Sequence, residues 1–503
     1  MGMCTQGDLR VGAAVTMALA AVTACTDASD APGAEQQPQT AAPEPATGAL
    51  VLDGTGEMPE DEAARASRAR MVDEEFPLHG LVTGLQLTVR KEPDPEADPV
   101  GWLRVGARLR LSRERTRTSN CNTGWYRIHP LGWACAGQGI EVGDAPPDSE
   151  LAVPPPARDA ALPYPYWFVK EPMVPEYHQL PSRDAQRAAT AFAERYLEML
   201  RADQERRAER LLAGELPNEP GKPAAIHRFL DRGYYVAGSG TEVRASRRFV
   251  RTVRGRYVKQ SRVIERAGSD FAGVELGDVR DLPVAWVVRN ALPMIKRERA
   301  DGTIRFVDDR EAEPFERHET LDSWVERRNI GGRNMHVLEG ERYLHDWFVA
   351  VAESIERPRG IADDEPWVHV RLGRQTLVLY EGDTPVFATL VSSGEAPHTT
   401  PTGVFTIRRK YIADTMANIG AGQDDRYSIE DVPWTQYFEG SFALHGAFWH
   451  ERFGLTRSHG CVNLSPRDAH RIFDRLWPHV PEGWLGVSTD RTGFRTSHVV
   501  ITE

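Results

Sequence analysis

Short runs in which apolar and polar residues alternate, each stopped by Gly, Pro or Asp, recur along this chain and bias it toward β-structure. Gln86-Leu87-Thr88-Val89-Arg90 is the plainest case. Val100 to Gly106, Ala107 to Leu111, Gly124 to Ile128 and Gly132 to Ala136 follow within one small segment. The pattern returns at Tyr234 to Ala237, Arg248 to Arg251, Gly255 to Val258 and Val284 to Val288, and once more at Trp367 to Val370, Gln375 to Tyr380 and Val386 to Gly394. One stretch has helical spacing instead. Ser182 offers a cap, and Ala189, Phe192, Tyr196, Met199 and Leu200 recur on one face of a helix expected to run to about Leu212. The expected fold class is mainly β with some α. A chain of 503 residues exceeds one hydrophobic core, so several domains are expected.

The net charge of -12 is unevenly spread. Thr26 to Ala64 holds many Asp and Glu and no Lys or Arg, which leaves the remainder near neutral. Arg113 to Arg117 and Arg244 to Arg254 are interrupted by other residues and read as solvated strand faces. No basic patch points to nucleic acid. The N-terminus reads as an export signal: Arg10 precedes the apolar run Val11 to Val22, too short to span a bilayer. It ends Val22-Thr23-Ala24-Cys25, which resembles a lipobox. The expectation is a lipoprotein signal peptide over residues 1–24, acylation of Cys25 and a membrane partner through that lipid. An ordinary signal peptide is the alternative. Thr26 rather than Asp after Cys25 favours the outer membrane, and hence a periplasmic body. Residues 25–70, rich in Ala, Pro, Gln and acidic side chains, read as a disordered tether.

Cysteine use fits an oxidising compartment. Cys4 goes with the leader, and Cys121 and Cys135 sit close together, which favours a disulfide. A metal site is the alternative, but only His129 lies between the two and no fourth ligand stands at zinc spacing. The surrounding segment, residues 80–145, carries Gly124-Trp125-Tyr126-Arg127-Ile128 and Pro130-Leu131-Gly132-Trp133. It resembles bacterial SH3-like domains, small β barrels that accompany cell-wall enzymes. Trp102, Trp125 and Trp133 are either a ligand platform or barrel core. Residues 165–360 form a middle α+β region with no motif that carries chemistry. His227, His318 and His336 there read as structural.

Cys461 is then the odd thiol left over. It lies in Ser458-His459-Gly460-Cys461-Val462-Asn463, with Leu444-His445-Gly446 upstream. Thiol-based acyl transfer needs such a set: a nucleophile, an imidazole to take its proton, and backbone N–H groups free to face an oxyanion. Two histidines compete for the role of base, and a buried core thiol is the bland alternative.

These residues, with Thr400-Pro401-Thr402-Gly403-Val404-Phe405 in order before them, resemble the signature of the L,D-transpeptidases (YkuD-like catalytic domain). The resemblance places a β-rich catalytic domain at residues 365–503. It implies that His445 is the base, held by the Gly446 carbonyl, that His459, Gly460 and the Cys461 N–H serve the oxyanion, and that Ser458 and Asn463 brace the turn. It implies peptidoglycan stem peptides as substrate, a thioester on Cys461, 3→3 cross-links as product, and neither metal nor cofactor. A wall-editing L,D-carboxypeptidase or endopeptidase on the same scaffold, and a non-catalytic wall-binding lipoprotein, are the competing readings.

Overall fold

The computed structural model describes residues 62–148, 153–201, 210, 220–278, 280–418, 426–490 and 492–503. The expected leader, Cys25 and the acidic tether up to residue 61 lie outside the described residues. The rest of the expected tether does not run disordered to residue 70: Glu62–Glu75 is a helix. Its Ala, Arg and Glu residues are good helix formers, and its end docks through Asp73 on Arg110 (2.7 Å) and Glu75 on Arg127 (2.7 Å).

The architecture is mainly β. Short antiparallel strands between Leu78 and Gly143 make an N-terminal β unit. Its alternation is visible in Gln86–Arg90, where Leu87 and Val89 are buried and their neighbours are not. Cys121 and Cys135 are joined by a disulfide that packs with Trp125. A second group of strands, from Tyr166 to Arg266, carries helix Arg183–Arg201, which begins where Ser182 Oγ accepts from the Ala185 N–H at 3.0 Å. A third group, residues 284–352, pairs Val284–Val287 with Val349–Ala352 and adds a five-stranded sheet between Met294 and His345.

The C-terminal region packs two sheets face to face. One orders strands Val274–Glu275, Thr384–Leu390, Thr376–Glu381, Pro366–Arg371, His498–Thr502 and Gly403–Thr406. The other contains Arg409–Ala417, Ser428–Glu439, Phe442–Gly446, Val462–Leu464 and Gly486–Ser488. Helix Pro466–Arg475 covers it, capped by Ser465 Oγ on the Asp468 N–H and started by a proline whose missing donor costs nothing there. Fully buried Lys410 donates to the carbonyls of Phe473 and Leu476, 2.6 Å each, and closes the helix end.

The N-terminal unit is not a separate bead. Its strand Pro99–Arg104 pairs antiparallel with Gly486–Ser488, so it extends the C-terminal sheet, and the two share one apolar core. A buried charge cluster fastens the second group at the same seam. Arg104 reaches Asp431 at 2.6 Å and Arg254 reaches it at 3.4 Å. Arg228 bridges Glu430 and Glu176. Burial works against the Asp431 charge, yet Arg104 and Arg254 hold its carboxyl below the usual range. Removing one member of a buried pair strands the other, at a cost of about 3–5 kcal/mol. Arg104→Ala is expected to lower the thermal midpoint accordingly, and an unchanged melting curve would refute the role given to this cluster.

Candidate active site

Parallel pairing builds the site. Phe442–Gly446 lies beside Val462–Leu464 with Leu444 opposite Val462, His445 opposite Asn463 and Gly446 opposite Leu464. Cross-strand partners share a face and so do residues two apart. His445, Asn463 and Cys461, at the strand's entrance, therefore fall on one side of the ladder. His445 is buried, and its Nδ1–H donates to the Gly446 carbonyl at 3.3 Å. A carbonyl can only accept, so this bond fixes the tautomer and leaves Nε2 with its lone pair.

Cys461 is half-buried and is the free cysteine among the described residues. Its thiol donates to the Ser441 carbonyl at 3.6 Å, and the side chain packs on the buried cluster of Tyr411, Tyr437 and Ala443, which Met416 and Trp102 also cover. Trp102 comes from the N-terminal unit and stacks on Tyr411 with centroids 4.8 Å apart. Trp125 is core, while Trp102 reaches across the seam to the apolar cluster on which Cys461 packs.

The turn before Cys461 is held from both sides. Ser458 Oγ donates to the Cys461 carbonyl and accepts from the Gly460 N–H at 3.1 Å. Gly460 sits at φ +110°, and a Cβ there would lie 2.3 Å from Phe442 Cε1, so only glycine fits. Its N–H is spent on the turn, which removes Gly460 as an oxyanion donor and makes it a shape residue. The Cys461 N–H carries no hydrogen bond among the described residues. His459 is exposed and stacks with His398 (4.8 Å) and Tyr427 (5.7 Å) instead of lying beside His445 on the ladder.

Several contributors escaped the sequence reading. Thr400 Oγ1 donates to the Gly460 carbonyl at 2.8 Å and accepts from the Gly394 N–H at 2.9 Å. The Thr-Pro element, recognisable in the sequence, thus clamps the nucleophile's turn. Gln375 binds Ser393 at both its N–H (2.7 Å) and its hydroxyl (2.6 Å), and the Ser393 carbonyl accepts from the N–H groups of Arg457 and Ser458. His450 Nε2 lies 2.9 Å from the Asn463 amide, and His450 Nδ1 accepts from the Arg452 N–H. A neutral imidazole with an accepting Nδ1 carries its proton on Nε2, so Asn463 must turn its amide oxygen toward His450.

Burial pushes both reacting groups toward neutrality. It raises the Cys461 thiol to about 11 and lowers His445 to about 4, the Gly446 carbonyl only partly offsetting the latter. The free site therefore rests as thiol and neutral imidazole. A separate cavity of about 940 Å³ lies at the seam between Arg104–Arg110 and Pro481–Leu485 and includes neither Cys461 nor His445.

Residues 365–483 match YkuD, described as the L,D-transpeptidase catalytic domain. This segment is a YkuD domain. Among solved structures, the chain is similar to a mutant L,D-transpeptidase of Enterococcus faecium, at 20% identity over 28% of this chain and 50% of that one, TM-score 0.22. It is also similar to an L,D-transpeptidase of Stackebrandtia nassauensis, at 25% identity over 28% and 58%, TM-score 0.20. A third is an L,D-transpeptidase from Mycobacterium smegmatis, at 14% identity over 46% and 100%, TM-score 0.22. The chain thus spans about half the length of the first two. No curated protein matches the sequence. The YkuD match contains Cys461, His445, Thr400 and Gln375, and excludes the strands before residue 365.

The pH dependence of the YkuD site follows from these directions. His445 stays neutral until the pH falls through about 4. Any step that needs the neutral imidazole is expected to fail near pH 4 and not near 6.5, and the rate of iodoacetamide capture at Cys461 is expected to keep rising beyond pH 9. Capture that levels off at pH 7 would show a preformed thiolate and contradict this account.

Proposed function

We propose that this chain is a cysteine L,D-transpeptidase of peptidoglycan, residues 365–503 being its catalytic domain. The observation that carries the reading is that the YkuD match holds, on two neighbouring parallel strands, a half-buried free thiol at the entrance of one and, on the other, a buried imidazole whose Nδ1 is tied to Gly446.

In this reading Cys461 Sγ attacks the carbonyl on the L-centre of diaminopimelate in a tetrapeptide stem while its proton passes to His445 Nε2. The Cys461 N–H, the free donor of the turn, faces the developing oxyanion. Collapse breaks the C–N bond; D-Ala leaves with the proton from His445, and the acyl group remains as a thioester. A side-chain amine of a second stem then attacks, gives up a proton through His445, and leaves as the 3→3 cross-linked product while Sγ recovers its hydrogen. Water in place of the amine would make the enzyme an L,D-carboxypeptidase.

Muropeptides with tetrapeptide stems, incubated with the mature protein, are expected to yield dimers by mass spectrometry. Tripeptides alone would assign it to wall-editing hydrolysis. Cys461→Ala is expected to abolish both, since the nucleophile has no substitute in the turn. A carbapenem is expected to add its mass at Cys461 in the parent and not in the variant. Turnover by Cys461→Ala would refute the thiol mechanism.

The remaining assignments belong to the same proposal. Residues 78–143 act as an SH3-like wall-facing unit, and acylation at Cys25 holds the body to a membrane, by preference the outer one, in the periplasm. Metabolic labelling with a fatty acid is expected to mark the protein and to fail in Cys25→Ala. Equal labelling of the two would remove the anchor from the account.

A further inference from the structure

We propose that the third group of strands, residues 284–352, positions the nucleophile of the YkuD domain, and that Arg374 is the positioning residue through which it acts. The inference rests on the thiol mechanism above and assigns a task to a region whose sequence carries no chemistry.

Beside the apolar core that it shares with the catalytic domain, the group makes polar contacts to that domain at two places, and both lead toward Cys461. At the first, Asp346 accepts from Arg374 at 3.0 Å. Asp346 is itself fixed: Arg327 binds it at 2.7 and 3.1 Å, and fully buried His336 donates to it from Nε2 at 3.0 Å while Trp324 Nε1–H donates to His336 Nδ1 at 2.9 Å. Burial opposes the Asp346 charge, but Arg327 and Arg374 hold its carboxyl well below the ordinary range. Arg374 therefore meets a carboxylate that Arg327 and His336 already hold in place.

The next residue, Gln375, is buried at φ +54°, a left-handed conformation that a side chain with a Cβ adopts at some cost. Something must hold it there. Inside the catalytic domain its amide is saturated by Leu372 and Ser393. Outside it, the Arg374–Asp346 bridge pins the same turn. Ser393 passes the constraint on, its carbonyl taking the N–H groups of Arg457 and Ser458 at 3.0 Å each, and Ser458 Oγ holds the Cys461 carbonyl. Between Asp346 and the nucleophile, every step is an ion pair, a hydrogen bond or a covalent neighbour.

At the second grip, Arg317 donates to the Glu451 carbonyl, and His318 donates from Nε2 to the Phe453 carbonyl at 3.3 Å. Phe453 packs on His450, with centroids 5.2 Å apart, and His450 bonds Asn463. Ser392 closes the arrangement: its hydroxyl donates to the Arg452 carbonyl at 2.7 Å, and its backbone pairs with Asn463 in both directions at 2.9 Å. The two grips therefore flank Cys461, one on its turn and one on its strand.

The test compares the bridging arginine with one whose ion pair lies elsewhere in the same group. Arg374→Gln breaks the bridge into the catalytic domain; Arg342→Gln removes a pair to Asp309 (3.3 Å) that stays within residues 284–352 and does not touch Asp346. Displacing a nucleophile by a fraction of an ångström lowers the chemical step more than binding, so Arg374→Gln is expected to cut kcat by about tenfold or more with KM within about twofold, while Arg342→Gln leaves kcat within about twofold. Arg374→Lys, which keeps the charge, is expected to recover most of the loss. Iodoacetamide capture at Cys461 is read in parallel, because it needs no substrate: slower capture, or a shifted pH profile, in Arg374→Gln alone supports the proposal even if the parent proves not to cross-link muropeptides. Should Arg374→Gln fail to fold, Asp346→Glu against Arg342→Lys makes the same comparison. Equal losses in the two arginine variants, a change in KM alone, or unaltered capture and turnover in Arg374→Gln would each overturn it.

Discussion

Parallel pairing between Phe442–Gly446 and Val462–Leu464 is the constraint on which the site depends. Parallel neighbours cannot be joined by a tight hairpin, so the chain must leave the first strand and return to the same end. The crossover it makes, residues 447–461, carries nearly every local support of the nucleophile: Trp449 stacked on His445, His450 bonded to Asn463, Phe453 in the core, and the Ser458–Gly460 turn. The residues that set the reach of the crossover are therefore also the ones that orient the thiol.

The same enclosure shapes the chemistry. A thiol exposed to water beside an imidazole could ionise at rest and react with any electrophile. Here burial disfavours the charged forms of both side chains, Cys461 against the cluster of Tyr411, Tyr437 and Ala443 and His445 under Trp449. Under the proposed thiol mechanism, a correctly seated carbonyl would supply what is missing, a place for the electron pair as the proton moves, and reactivity would be coupled to occupancy.

Local features of this machinery were legible in the chain. The Ser-His-Gly-Cys turn and the Thr-Pro-x-Gly element are contiguous, and alternation of Leu87 and Val89 with polar neighbours marks its strand without help from tertiary context. Gln375, His450 and Asp431 were not legible, because each acts across a fold that brings distant segments together. Gln375 lies in a strand-like run, and only its positive φ, invisible in one sequence, sets it apart. His459 stands close to Cys461 in the sequence, and in the fold its exposed ring packs beside His398. The acidic tail misled at its inner end, where charge hid a run of helix formers between Glu62 and Glu75.

The seam between Pro99–Arg104 and Gly486–Ser488 has a consequence for how such a chain comes together. These strands are contributed by opposite ends of the sequence, yet each supplies the hydrogen-bonding edge the other lacks. A chain that emerges N-terminus first must keep one edge open until its far end arrives, and a catalytic segment cut free of its N-terminal unit would carry the complementary raw edge as an invitation to self-association.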